Sequence, residues 1–380
     1  MRRIRAGLIG AGFVAPLHVE AARRLGYVDV VAVAASTPES AQKKAEALNI
    51  ERACSTYQEL LADPMIEVVH ICTPNYLHYP VAMAALSAGK HVICNNPLAL
   101  NSVEAREMRD LARSSSVVNA VVFNYRFNAL IRQARDIIAR GDLGTVRFVH
   151  GHYLQDWLLH ETDFSWRLEA DKGGPSSSVG DIGSHWLDAA CFITGLRVER
   201  VLASLSTMVQ VRKKPACSLE SAFEDYVVTS DDLGSVLLEF EGGARGMFCV
   251  GQICPGHKDD MRIEVNGSRA SLGWDQEQPD QLWIGYRDQP NTRLARDPNL
   301  LDEPVQRYPS LPGGHRESWA DALKNMMANV YSFIAAGYDI ERDANRIDFP
   351  TFQDGYRANS IVDAIVRSNV DRSRWTRVEY

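Results

Sequence analysis

Short apolar runs separated by amphipathic stretches mark the first third of the chain. Residues 4–9, 28–35, 67–71, 91–94 and 117–123 are near-continuous in Val, Ile, Leu, Ala and Cys, as strands covered on both faces are. Helical spacing lies between them, over 16–25, in a stretch ending near Gly89 and from Ser102 onward. This alternation predicts a doubly wound α/β sheet of parallel strands, with ligands at the carboxyl ends of those strands. Past Phe123 the pattern changes. A helix over 129–140 stops at Gly141, and strand-like segments then dominate at 145–153, 198–211, 225–230, 234–240, 244–252 and 261–265. Consecutive strands of this kind pair antiparallel. The second half therefore reads as an α+β domain with a large, mainly antiparallel open sheet, one face under helices and the other left for a ligand or a subunit. Residues 285–314, with Pro290, Pro298, Pro304, Pro309 and Pro312, are the least regular stretch, either a loop over a cleft or a surface connection. Final helices are expected over 315–336 and 351–368. The domain boundary falls at 1–123 and 124–380, with the C-terminal helix expected to pack back on the first domain.

The first strand runs into Gly10-Ala11-Gly12-Phe13-Val14-Ala15 and then a helix. Gly10 permits a tight turn, Gly12 lets a pyrophosphate approach the backbone, and the helix N-terminus faces the anion. Strand, glycine turn and helix in that order make 1–123 a dinucleotide-binding Rossmann domain, with Phe13 and Val14 part of the cradle. The second strand ends in Ala35-Ser36-Thr37-Pro38, where an NAD site usually carries an acid and an NADP site an arginine. Ser36 offers only a hydroxyl, and Lys43 and Lys44 lie further into the next helix. The cofactor is NAD or NADP, with NAD preferred. At later strand ends stand Thr73-Pro74-Asn75 with His78, and Asn95-Asn96-Pro97-Leu98. Asn75 caps the next helix or turns toward the ligand, and His78 packs, caps or reaches the same place.

Composition narrows the class. At 380 residues the chain is long enough for two cores, and 46% hydrophobic with 23% charged residues is ordinary for a globular protein. A net charge of -7 gives no reason to expect nucleic acid or an anionic membrane as partner. The seven cysteines, Cys54, Cys72, Cys94, Cys191, Cys217, Cys249 and Cys254, form no C-x-x-C pair and suit thiols in a cytoplasm rather than bridges or a metal site. Arg2, Arg3 and Arg5 before an apolar run mimic an export signal, but cleavage there would remove the first strand. No apolar run is long enough to span a membrane.

Candidate chemistry in the second half centres on Asp181-Ile182-Gly183-Ser184-His185. On a helix Asp181 and His185 share a face, and Gly183 leaves room for a ligand. A carboxylate beside an imidazole can take the proton of a substrate hydroxyl while hydride leaves its carbon, and the same pair can equally be an N-cap and a packed histidine. Tyr125, Arg126, Trp157, Trp166, Arg167 and Lys172 supply aromatic faces and polar donors suited to a polyhydroxylated ring, or to packing.

Together Gly10-Ala11-Gly12, Thr73-Pro74-Asn75 with His78, Gly89-Lys90-His91-Val92 leading to Pro97-Leu98, and Asn124-Tyr125-Arg126-Phe127 resemble the glucose-fructose oxidoreductase / inositol dehydrogenase / MocA-like family. The resemblance implies an NAD(P)-dependent dehydrogenase acting on a secondary hydroxyl of a sugar, polyol or glycoside, and a homodimer or homotetramer formed through the open sheet. It makes His185 the acid/base within an Asp-x-Gly-x-His motif, Asp181 its partner, and His315 a residue near the substrate. The family reads Glu-Lys before the proline, the lysine belonging to its catalytic group, whereas this chain has Asn95 and Asn96. Three explanations follow: His185 carries the proton step alone, Lys172 fills the space, or the site binds cofactor and sugar without oxidising it. A glycosidase working by transient oxidation with bound NAD shares the same site.

Overall fold

The computed structural model describes residues 2–216 and 223–380, so Cys217 lies outside the described residues. They form two compact units, Met1–Asn124 with Trp319–Asn359 and Tyr125–Ser318 with Ser360–Tyr380.

In the first unit six strands form one sheet in the order Arg52–Cys54, Val28–Ala34, Ile4–Ile9, Val68–Ile71, His91–Cys94, Asn119–Val121. Every pairing is parallel. Side chains on both faces are covered, as the unbroken apolar runs require: Ala6, Leu8, Val33, Val69 and Ile93 are buried. Side-chain oxygens of Thr37, Thr56 and Asn101 cap the helices Pro38–Leu48, Tyr57–Ala62 and Ser102–Ser115. The segment 319–359 stands with this unit, although the sequence boundary falls after residue 123 and expects only the C-terminal helix to pack back on the first domain. An apolar stripe records that a helix is buried, not which surface it covers. Here Met326, Met327, Val330 and Tyr331 of the helix Trp319–Ala335 are buried, the Asn119 side chain accepts from the Phe352 amide (2.9 Å), and Asn359 donates to the Ala99 carbonyl (2.8 Å).

The second unit carries a nine-stranded sheet in the order Thr292–Ala295, Gln281–Gly285, Ser271–Asp275, Asp260–Gly267, Val146–Leu154, Arg245–Gly251, Leu233–Phe240, Val198–Ser206, Thr376–Arg377. Only Val146–Leu154 and Arg245–Gly251 pair in parallel among these neighbours. Part of the stretch expected to be irregular is strand, since Thr292–Ala295 pairs with Gln281–Gly285. The expected strand 198–211 is divided. The Asp232 carboxylate accepts from the amides of Met208 (2.8 Å) and Val209 (2.9 Å) and diverts the chain, so that Val211–Pro215 pairs with Phe223–Val227 in a separate ribbon. The helix Ser184–Thr194 packs on one sheet face, where Trp186 stacks on Phe248 at 4.6 Å and donates to the Arg262 carbonyl at 2.8 Å. Gly151 sits beneath this contact, since a Cβ there would lie 1.9 Å from that carbonyl oxygen. His150, His152, Glu264 and Trp283 line a shallow groove on the sheet.

Candidate active site

In the first unit, Ile4–Ile9 ends at Gly10 with φ of 101°, and a Cβ there would meet the Cys72 backbone at 2.5 Å. Only glycine meets both demands. Gly12 is the converse: nothing stands within 4 Å of the place its Cβ would take, so its backbone is open. The helix Ala15–Arg23 begins after Val14 with no side-chain cap, leaving first-turn amides for an anion, and Phe13 is exposed beside them. The Thr73 hydroxyl, at the end of Val68–Ile71, is buried without a hydrogen-bond partner among the described residues. An open glycine backbone, an uncapped helix start and an orphaned hydroxyl at a strand end fit a dinucleotide. Ser36 is exposed past the end of Val28–Ala34, while its neighbour Thr37 is committed to the amide of Ser40 (3.1 Å).

Two buried histidines brace the loops around this cradle. His78 ties them together, its Nδ1 lying 2.8 Å from the Pro97 carbonyl and its Nε2 3.0 Å from that of Thr73. Asn75 is buried at the head of the turn Asn75–Leu77. Asn95 and Asn96 are half-buried after His91–Cys94, and the Asn95 oxygen lies 3.2 Å from His18 Nε2. Behind it, His18 Nδ1 faces His70 Nδ1 at 3.0 Å, and His70 Nε2 faces the Tyr331 hydroxyl at 2.6 Å. If Asn95 accepts from His18 Nε2–H, then His18 Nδ1 must accept from His70 and His70 Nε2 from Tyr331. One proton between the facing nitrogens is all the chain tolerates. Burial accordingly pushes His18 down to about 4 and His70 well below its ordinary value. Burial also pushes the Cys72 and Cys94 thiols up, which keeps them protonated.

In the second unit Asp181 does not sit on an α-helix as expected. Val179–Gly183 is a π-helical turn running into Ser184–Thr194, with the Ser184 amide donating to the Val179 carbonyl five residues back. Asp231 starts the turn, accepting from the amides of Ser177 and Val179 (both 3.1 Å) and from the Ser178 hydroxyl. Nothing in the residue spacing announces such a turn. Asp181 is held on both oxygens, by Arg167 Nε at 3.0 Å and Gln252 Nε2 at 3.2 Å. His185 is walled by two phenols: the Tyr125 ring meets it edge-on at 5.1 Å and Tyr153 lies at 6.5 Å. Burial pushes the His185 imidazole down to about 4, with the Asp181 carboxylate pulling it upward. Behind the wall, the Tyr125 and Tyr153 hydroxyls lie 2.6 Å apart and both reach Asp259, at 3.0 and 2.5 Å. Burial raises the Asp259 carboxyl against the pull of these phenols and of Gln276.

Arg126 forms a two-pronged pair with Asp188, on the helix of His185, at 2.7 and 2.5 Å. Lys172 donates to Glu169 at 2.9 Å, and Lys214 shares that carboxylate. The Arg167 guanidinium lies 4.5 Å from the Trp166 ring centre and 5.9 Å from that of Trp157. His315 is exposed ahead of the helix Trp319–Ala335, and its carbonyl accepts from Arg296. Tyr153, Asp259, Gln252 and His18 are absent from the expected set. Three of them lie in strand ends or loops far along the chain from the motifs they support; His18 had a signal, as the histidine on the helix after the glycine turn.

Comparison with known proteins divides the chain in much the same way. Residues 4–123 match the oxidoreductase family with an NAD-binding Rossmann fold, and residues 131–273 match the GFO/IDH/MocA C-terminal domain. The chain is 30% identical to levoglucosan dehydrogenase of Pseudarthrobacter phenanthrenivorans, with 98% of each protein aligned. It belongs to the GFO/IDH/MocA oxidoreductase family. Solved members have the same fold: levoglucosan dehydrogenase in complex with NADH and L-sorbose (28% identity, all of both chains, TM-score 0.90) and an inositol dehydrogenase homolog complexed with NAD+ from Azotobacter vinelandii (27% identity, 99% and 97% covered, TM-score 0.89). Membership makes the chain a nicotinamide-dependent oxidoreductase. Among the described residues no helix is long and apolar enough to cross a membrane, and no cluster of His, Cys, Asp and Glu is arranged to hold a metal.

Proposed function

We propose that the chain oxidises a secondary hydroxyl of a neutral sugar, polyol or glycoside, with NAD preferred over NADP and His185 as the general base. The observation that carries this reading is the half-buried His185, walled by Tyr125 and Tyr153 and with Asp181 in the turn before it. Burial keeps the imidazole neutral and ready to accept a proton, and the nearby carboxylate offsets the imidazolium once it forms. Asp181 stays oriented because Arg167 and Gln252 hold its two oxygens. A bound nicotinamide supplies the hydride acceptor. Gly10, Gly12, Phe13, Val14, Ser36, Thr73, Pro74, Asn75 and Asn95 are the residues assigned to hold it, with His78 bracing their loops. NAD is preferred because residues 35–37 carry no charge to meet a 2′-phosphate.

Asn96 stands where the family motif has lysine. Its amide can donate to a developing alkoxide but brings no charge, a loss on the order of 3 kcal/mol of transition-state stabilisation by analogy with an oxyanion donor. His185 is therefore assigned the whole proton step, since an amide at position 96 cannot ionise. Trp166 and Arg167 are assigned to the ring that is oxidised and Trp157 to a more distant part of the substrate, while Tyr125 packs against His185 and Arg126 holds the helix of His185 through Asp188. The sugar ligands of the solved relatives support this substrate class. Buried thiols at Cys54, Cys72 and Cys94 support a reducing cytoplasm, and the groove on the nine-stranded sheet is the surface assigned to a homodimer or homotetramer.

Purified protein given NAD or NADP and a panel of sugars and glycosides tests the proposal by absorbance of the reduced cofactor. Net reduction, faster with NAD, is expected. Tight cofactor binding without turnover, unrestored by Asn96→Lys, would overturn it.

A further inference from the structure

We infer that residues 155–168 build a second sugar-ring subsite beside Asp181, with Trp157 as its stacking platform. The substrate class is then a glycoside or disaccharide, oxidised on one ring while the attached ring lies on the indole. This rests on the reading of Asp181 and His185 as the oxidising site. Trp157 is 38% exposed, and its indole N–H is fixed on the Gln155 side chain at 2.9 Å.

The loop that presents it is built rather than loose. The amides of Gln155 and Leu158 donate to the carbonyls of Gly251 (2.8 Å) and Gln252 (3.0 Å). Leu158 is fully buried with Leu168 and Val228, and Phe164, Tyr226 and Ile253 pack around them. Gln252 also donates to Asp181, so one residue sets the position of both the platform and the carboxylate. Arg167 fills the interval, stacked over Trp166, lying near Trp157 and donating to Asp181.

An indole face accepts the C–H face of a pyranose, and the guanidinium N–H groups not used by Asp181 suit ring hydroxyls. The Arg167 charge is already met by Asp181 at 3.0 Å. The platform thus favours a neutral ring over a phosphorylated one. A rigid, partly exposed aromatic needs no ordering when a ring lands on it, which lowers the entropy lost on binding.

The test compares glucose with cellobiose and maltose, using wild type, Trp157→Ala and Trp157→Phe. For wild type, at least one disaccharide is expected to exceed glucose in kcat/KM. In Trp157→Ala the ratio of disaccharide to glucose kcat/KM should fall at least about ten-fold, mainly through KM, and Trp157→Phe should recover most of it. An unchanged ratio, or a wild-type preference for glucose over both disaccharides, would overturn the subsite. Calorimetry with NADH-bound protein separates this outcome from failure of the oxidising site. If no sugar is oxidised, disaccharide binding that Trp157→Ala weakens still supports the platform, while no disaccharide binding to wild type refutes it.

Discussion

Acidification to about pH 5 should leave the intrinsic oxidation step nearly intact, because the proposed base is already neutral there. An exposed histidine titrates near 6.5, and at about pH 5 only roughly 3% of it is neutral. Burial pushes the His185 imidazole down to about 4, against a smaller upward pull from Asp181. With that value about 90% remains neutral at about pH 5, a difference of roughly 30-fold in competent base. The sign follows from the role: a base works in its neutral form, which is the form present above its pKa. The assay is kcat/KM for sugar oxidation against pH at saturating cofactor, with circular dichroism at each point to normalise for folded protein. The acid limb should lie near pH 4 to 5. In Asp181→Asn it should move lower still, since the carboxylate that lifts the imidazole is gone. An acid limb near 6.5 in wild type, or one that rises in Asp181→Asn, would refute the assignment.

Other consequences are more local. Gly10→Ala should abolish cofactor binding in calorimetry, because its Cβ would meet the Cys72 backbone at 2.5 Å, whereas Gly12→Ala should fold with an unchanged Tm and weaken cofactor binding alone. Asp188→Ala should destabilise the protein by about 3 kcal/mol in urea unfolding, since it removes the two-pronged acceptor of the part-buried Arg126 guanidinium. For His18 the folded-state value is lowered, so its stabilising effect is present above the unfolded value and lost as pH falls through 6.5 toward 4. Relative to neutral pH this is about 2 kcal/mol at about pH 5, and that part of the pH dependence should disappear from urea midpoints of His18→Gln.

The first sheet was legible because its strands are covered on both faces and therefore uniformly apolar; 4–9 and 91–94 coincide with the observed strands. Along the second sheet the signal weakens. Ser271–Asp275 and Gln281–Gly285 mix glycine, aspartate and glutamine with tryptophan, so their alternation is faint although Leu272 and Leu282 are fully buried. The motif Asp181 to His185 could be read from residue types, but its π-turn depends on Asp231, fifty residues away in the chain. Local spacing carries no record of such a partner. The same holds for Asp259, which reaches Tyr125 across 134 positions. Tyr125 and Arg126 were recognisable as special residues, yet only the three-dimensional contacts show their polar groups engaged by Asp259 and Asp188.

Single-turnover oxidation is the most direct test of the central claim, that His185 with Asp181 removes the hydroxyl proton while Asn96 stands in place of a lysine. Protein saturated with NAD would be mixed with the best sugar from the panel, and reduced cofactor followed in wild type, His185→Gln and Asn96→Lys. A burst is expected in wild type, a burst slowed by about 10²–10⁴ in His185→Gln with cofactor affinity retained, and a rate in Asn96→Lys no lower than wild type. An equal burst in wild type and His185→Gln would contradict it, as would a burst that appears only with Asn96→Lys.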